Sequence, residues 1–260
     1  MNIDRVKERE LQEKYHFDTL ARLYETKYNY GNRFTKYKIE KKIGRFAKYI
    51  EGNFGKGKSL GILEIGCGTG AYTRSYASKL PKAKVIATDI SGKIIEVAKS
   101  KTKRLNNIQY KVKSAYATQV KDQSIDVVCG FYVLHHVDIH EAMKEASRIL
   151  KPGGLAYFYE PNILNPLVFI LKSSKVLKKL GGDSSEEWGM NPFKPWYSLF
   201  AFRVVRIKTT EFVWPISFMP FKLMTIVDKI SSLLCNYLPL VNLLGGSVEI
   251  CLQKYNDKTT

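Results

Sequence analysis

The 260-residue sequence predicts an α/β fold, a mainly parallel sheet covered by helices on both faces. Two observations predict it. Between residues 59 and 160, short apolar runs alternate with stretches of helical periodicity, the pattern of successive βαβ units. Strands that alternate with helices in this way imply a parallel sheet with both faces covered. The first run also leads into a glycine-rich turn and then a helix, the local design that brings a ligand to the carboxyl edge of such a sheet.

The elements follow in order. Residues 1–51 read as a helical cap. Phe17, Leu20, Leu23 and Tyr24 fall at helical spacing, and Phe34, Tyr37, Ile39, Ile43, Phe46, Ala47 and Ile50 make a second stripe with lysines opposite. The segment GNFGKGK at 52–58 predicts a flexible joint opening the core segment, 52–160. Within that core the patterns predict strands over 59–65, 84–88, 108–113, 124–130 and 155–160. Helices are predicted over 71–79, 92–101 and 139–150, the last stopped by a turn at Pro152-Gly153-Gly154. Residues 161–201 read as a lid segment. Residues 202–260 hold two late strands, 202–212 and 247–254, separated by an apolar helical insert at 215–246.

Composition bounds the function. A 45% hydrophobic content supports a packed core and excludes a disordered chain. Forty-two Lys+Arg against 24 Asp+Glu give a net charge of +18. That excludes an acidic solvating protein and leaves open an anionic partner, nucleic acid or a lipid surface. A general lysine bias would give the same excess. Cys67, Cys129, Cys235 and Cys251 lie far apart without a CxxC, which argues against zinc spacings and a disulfide scaffold and fits a reducing, cytoplasmic setting. The N-terminus lacks the apolar region of a secretory signal, and no uninterrupted apolar run reaches the length of a membrane span.

The sharpest motif is ILEIGCGTG, residues 62–70: an apolar strand carrying Glu64, then Gly66-Cys67-Gly68-Thr69-Gly70. Glycines let a chain turn tightly and pass close to a ligand, and the following helix turns free N–H groups to the same spot. Asp89 ends the next strand in VIATDIS, followed by Ile90, where a carboxylate can accept both ribose hydroxyls. The GxGxG spacing differs from the dinucleotide fingerprint. Glu64 beside it would repel a pyrophosphate and suit a ligand bearing an amino group or a sulfonium.

On ILEIGCGTG, VIATDIS, SIDVVCGFYVLHHV and RILKPGG, in this order, the chain resembles the class I S-adenosylmethionine (SAM)-dependent methyltransferases of the small-molecule and lipid type. The resemblance covers about residues 58–160. It implies a Rossmann-like seven-stranded sheet with a reversed last strand, and SAM as cofactor. Carried over, Glu64, Gly66, Cys67, Gly68 and Gly70 surround the amino-acid part of SAM, and Asp89 and Ile90 meet the ribose. After the third strand, members often carry an acid and a small residue against the adenine. Here Ser114-Ala115 stand there, and the acid is missing. Phe131 and Tyr132 would flank the sulfonium, where an aromatic face favours a cation. An N-terminal tyrosine, Tyr15, Tyr24 or Tyr28, would cover the cofactor.

For the methyl acceptor the residues leave alternatives open. His135 and His136 are candidate general bases, or structural groups at the turn. Glu160 and Asn162, in EPNxxNP after the fifth strand, are expected at the pocket mouth, with Trp188 and Trp196 in an aromatic lid. Acids that would hold a metal are replaced by Tyr132 and His135, so no metal is expected. The insert at 215–246 reads as a lid, a homodimer contact, or a surface dipping into an anionic membrane. An apolar lid favours an amphipathic acceptor. The reading is therefore transfer of methyl to a small or lipid-like molecule at oxygen. Three alternatives stand beside it: C-methylation of an isoprenoid quinone or sterol-like ring, RNA methylation, and a non-catalytic SAM-binding partner. Nucleic acid is disfavoured because no base-gripping motif and no RNA-binding module is present.

Overall fold

The computed structural model describes residues 3–174, 177–178, 189–191, 202–211, 219–237 and 243–256. Three N-terminal helices come first: α1 (Ile3–Leu20), α2 (Tyr24–Lys27) and α3 (Arg33–Phe54). Strands and helices then alternate as β1 (Gly61–Ile65), α4 (Ala71–Lys79), β2 (Lys84–Asp89), α5 (Gly92–Lys101) and β3 (Ile108–Val112). They continue as β4 (Ile125–Phe131), α6 (Ile139–Ile149), β5 (Leu150–Pro161), α7 (Pro166–Ser173), β6 (Phe202–Thr210), α8 (Phe221–Tyr237) and β7 (Ser247–Lys254).

The seven strands lie in the order β3-β2-β1-β4-β5-β7-β6. Strands β1 to β5 run parallel, and β7 runs antiparallel to both β5 and β6. This is the expected sheet with its last strand reversed. From β1 the order runs outward to β3 on one side and from β4 outward on the other. The crevice between the carboxyl ends of β1 and β4 is therefore the topological switch point, where open α/β sheets take their ligands. Ile62, Leu63 and Ile65 of β1 are buried, as a strand covered on both faces requires.

Caps fix several helix starts. Asn32 accepts from Phe34 and Thr35 N–H, Ser91 from Ile94 N–H, and Asp138 from Glu141 N–H. Asn165 caps α7, with Pro166 in its first turn. Helix α3 buries Phe34, Ile39, Ile43, Phe46 and Ile50, the stripe that the sequence announces. Two boundaries differ from expectation. The joint expected at 52–58 is still helix as far as Phe54, and α3 ends only where Gly55 takes a φ of +92°. The Pro152-Gly153-Gly154 turn is instead a bulge within β5. Ile125 pairs with Leu150 while Val127 pairs with Leu155, so the extra residues loop out and Gly153 adopts a φ of +75°.

Among the described residues, no helix is long and apolar enough to cross a membrane. Parts of the 161–201 segment and of the 215–246 insert, Trp188 and Trp196 included, lie outside the described residues.

Candidate active site

The site is built on the turns that leave β1, β2, β3 and β4 at the sheet's carboxyl edge. Gly66, Gly68 and Gly70 all have positive φ. At Gly66 a side chain is excluded twice over: φ is +63°, and a Cβ would overlap Val133 Cγ2. At Gly70 a Cβ would stand 2.6 Å from the Tyr110 hydroxyl. The chain is thus drawn tight against its neighbours, and Cys67 and Gly68 become part of a cleft wall.

That cleft holds about 860 Å³ up to its open mouth. Its walls include Gly66 to Thr69, Asp89 and Ile90, Ala115, Phe131 and Tyr132, and His136. The sequence assembles these residues from four separate strand ends. Asp89 is buried, and its two carboxylate oxygens accept from Gly68 N–H at 2.9 Å and Ser91 N–H at 3.0 Å. Burial pushes its pKa up, against those two bonds.

Glu64 lies elsewhere. Its carboxylate is buried, accepts from Thr73 (2.6 Å) and Tyr76 (2.9 Å), and is not part of the cleft wall. Burial raises its pKa to about 7, so a full repelling charge facing the ligand, as the sequence suggested, is not what the fold provides. Ser114 is likewise not in the wall, but its hydroxyl donates to Glu10 of α1. Glu10 does line the cleft, so a carboxylate reaches this place from the N-terminal cap.

Helix α1 closes one side of the cleft with Glu10, Glu13 and Phe17. Of the tyrosines expected over the cofactor, Tyr24 lies on Gly68, with 3.3 Å from its hydroxyl to where a Cβ would stand. Tyr15 is 77% exposed and takes no part. Tyr24, Tyr28 and Tyr30 pack on one another, with ring centroids 4.6 to 6.3 Å apart. Tyr72 stacks on Phe131 at 4.9 Å.

A second cavity adjoins the first, with about 1480 Å³ of space up to its mouth. The two share Tyr24, Tyr30, Tyr72, Phe131, Tyr132 and His136. The second is lined further by Ile39, Val168, Leu171 and Leu177, and by Lys38, Lys42 and Glu211. Neither Lys42, Glu211, Tyr30 nor Tyr72 was singled out from the sequence. Lys42 alone left a signal there, a lysine inside the apolar stripe of α3.

The two histidines differ. His135 Nδ1 lies 2.7 Å from Glu160 Oε2, and both residues are buried. The other oxygen of Glu160 accepts from Val133 and Leu134 N–H, so this carboxyl pins the turn after β4 and does not stand at a pocket mouth. Its pKa is pushed up to about 7 by burial. Asn162 is also fully buried. It donates to Leu243 and Gly245 carbonyls and accepts from Leu164 N–H, which fastens the approach to β7. The sequence expectation for both residues therefore gives way to structural bonding. His136 borders both cavities, 3.2 Å from Glu13 Oε2.

Residues 63–158 match the family model described as a methyltransferase domain. That segment is thus similar to methyltransferase domains. The chain is 38% identical over 126 residues to the demethylmenaquinone methyltransferase of Chlorobaculum parvum, covering 46% of this chain and 51% of that protein. It is 32% identical over 140 residues to an uncharacterized methyltransferase of Schizosaccharomyces pombe, covering 53% of each. The chain thus spans about half the length of the curated relatives it matches. Among solved structures, a SAM-dependent methyltransferase from Thermotoga maritima superposes with a TM-score of 0.62 at 20% identity, covering 93% of this chain and 99% of that one. The magnesium protoporphyrin IX methyltransferase of Synechocystis, solved with bound S-adenosylhomocysteine, gives 0.54 at 15% identity, covering 83% and 82%. At these identities the two structures speak to the fold.

The site of this chain fits SAM on its own geometry. The glycine turn leaves room for backbone approach, Asp89 offers a buried carboxylate at the end of β2, and aromatic rings gather where the two cavities meet. Such rings favour a sulfonium cation.

Proposed function

We propose that the protein transfers the methyl group of SAM to an amphipathic, lipid-like small molecule. The junction of the two cavities carries this reading. A cleft that fits the cofactor opens onto a larger, partly apolar cavity through shared aromatic walls. When bound, SAM supplies an electrophilic methyl carbon on a sulfonium that leaves as a neutral thioether. The chain's own task is placement. Reacting atoms must approach in line to about 3–3.5 Å. Phe131, Tyr72 and Tyr132 border the place where that meeting would occur, and His136 stands beside it as the candidate base.

Transfer to oxygen is the finer reading. The name of the demethylmenaquinone methyltransferase relatives favours a second one, transfer to a ring carbon of a quinone-type acceptor. A site at the cytoplasmic face of a membrane completes the proposal. Helix α7 lines the acceptor cavity with Val168 and Leu171, while Leu167, Phe169 and Ile170 on the same helix are exposed.

The test is incubation of the protein with a lipid extract and SAM carrying a deuterated methyl group, followed by mass spectrometry of the organic phase. A labelled product is expected. Cleavage of the label by hydriodic acid marks an O-methyl group, and resistance marks a C-methyl group. Absence of any labelled lipid, with SAM bound, contradicts the reading.

A further inference from the structure

Helix α3 carries a lysine inside its apolar stripe. Lys42 lies among Ile39, Ile43 and Phe46 and is 5% exposed. A buried ammonium is costly unless it is paired. Lys42 donates to the Tyr132 hydroxyl at 2.7 Å and pairs with Glu211 Oε1 at 2.9 Å. An ammonium has three donors. Among the described residues, no further hydrogen-bond acceptor stands against this one.

Glu211 is shared. Lys38 pairs with the same oxygen at 3.0 Å, and the other oxygen accepts from Tyr132 (2.7 Å) and Ser247 (2.5 Å). Two ammonium groups thus meet one carboxylate in the wall of the second cavity. Arg45 is engaged by Tyr159 and Glu249, Lys41 by Asp228, and His135 by Glu160. Lys172 also lines this cavity. Burial pulls Lys42 down to about 8, so it stays charged at neutral pH. Tyr132 holds a φ of +61°, a strained conformation for a bulky residue, while its phenol meets Lys42 and its ring borders both cavities.

We propose that Lys42 binds an oxyanion of the methyl acceptor, which makes the acceptor a phenol, enol or hydroquinone that enters as its anion. Tyr132 and Glu211 are positioning residues that hold the ammonium at the junction of the cavities. The inference rests on the methyl-transfer reading for the fate of that anion, and on this geometry for its binding. The hydroxyl proton goes to water as the anion enters. The oxygen, or a ring carbon conjugated with it, bonds to the methyl carbon as the carbon–sulfur bond breaks with its pair on sulfur. At oxygen this yields a neutral ether and a neutral thioether. At carbon the displaced ring hydrogen then passes through solvent to the oxygen.

The test follows 4-nitrophenol, whose anion absorbs visible light, titrated with pH in the presence of excess protein saturated with S-adenosylhomocysteine. The wild type should lower the apparent pKa of the bound probe by about one unit, a tenfold preference for the anion. Lys42→Met should abolish the shift and Lys42→Arg should keep most of it. Glu211→Gln, which removes the counter-charge, should enlarge it, an effect that a purely structural role would not give. S-adenosylhomocysteine affinity reports folding, and the double variant K42M/E211Q avoids a buried lone charge. A probe that fails to bind, titrates as in water, or shifts equally in K42M overturns the proposal. The readout needs no methyl transfer. A shift without methylated product from any extract would therefore remove the transfer reading alone. Product on an acceptor lacking an ionisable hydroxyl, with no shift, would remove the anion site alone.

Discussion

At the scale of the residue, Asp89 is the group on which cofactor affinity should turn. It is buried in the cleft wall and also fastens Gly68 through a 2.9 Å bond. Asp89→Ala should weaken SAM binding at least tenfold, about 1.4 kcal/mol, by calorimetric titration; unchanged affinity would sink the ribose assignment. His136→Ala should lower turnover with SAM affinity preserved, and normal turnover would reduce His136 to a packing residue. Glu64 makes a prediction about stability. Its pKa stands near 7 against an ordinary 4.5, so the folded chain keeps a proton that the unfolded chain has released. Its contribution is present below about pH 4.5 and is lost as pH rises towards 7, by roughly 3 kcal/mol. Glu64→Gln should flatten the fall of the urea midpoint between pH 5 and 7. The same slope in both proteins would contradict the assignment. The residues also differ in how readable they were. Asp89 and Gly66 announce themselves through their place after strands. Glu160 and Asn162 sit at the expected strand end, but which way a side chain turns there depends on the β4 turn and the β7 approach, which spacing does not encode.

At the scale of the element, periodicity was enough for β1 to β5 and for α4, α5 and α6, because a short strand run and a half-buried helix leave different patterns. Boundaries were less legible. Gly52 costs α3 little beside the packing of its buried stripe, and the Pro-Gly-Gly turn bulges because β5 has already begun to pair with β4 at Leu150. The pairing of Lys42 on α3 with Glu211 after β6 was not legible, since nothing local links two segments so distant in the chain. Helices α7 and α8 carry the element-scale prediction. Leu223, Ile226, Ile230 and Leu233 of α8 are each between 47% and 57% exposed, as are Leu167, Phe169 and Ile170 of α7. Apolar faces on a cationic protein should bind anionic vesicles in a salt-resistant way. Ile226→Ser with Ile230→Ser should release a substantial share of the protein in co-sedimentation. Retention of both proteins alike, or of neither, would assign these faces to a lid or a contact between copies.

At the scale of the whole molecule, a charge of +18 supports attraction to any polyanion and does not select one. The selective feature is the path from the cofactor cleft, past Phe131 and Tyr132, into the larger cavity. The N-terminal cap closes the first part of that path with α1. Strand β7, antiparallel between β5 and β6, brings Ser247 to Tyr132 and Glu211 in the second. One measurement tests the account most directly: release of S-adenosylhomocysteine by the purified protein when SAM is supplied with lipid extract, aqueous extract or RNA. The account predicts release with the lipid extract alone, lowered by Asp89→Ala at limiting SAM. Release with RNA, or with none of the three while SAM binds tightly, would contradict it.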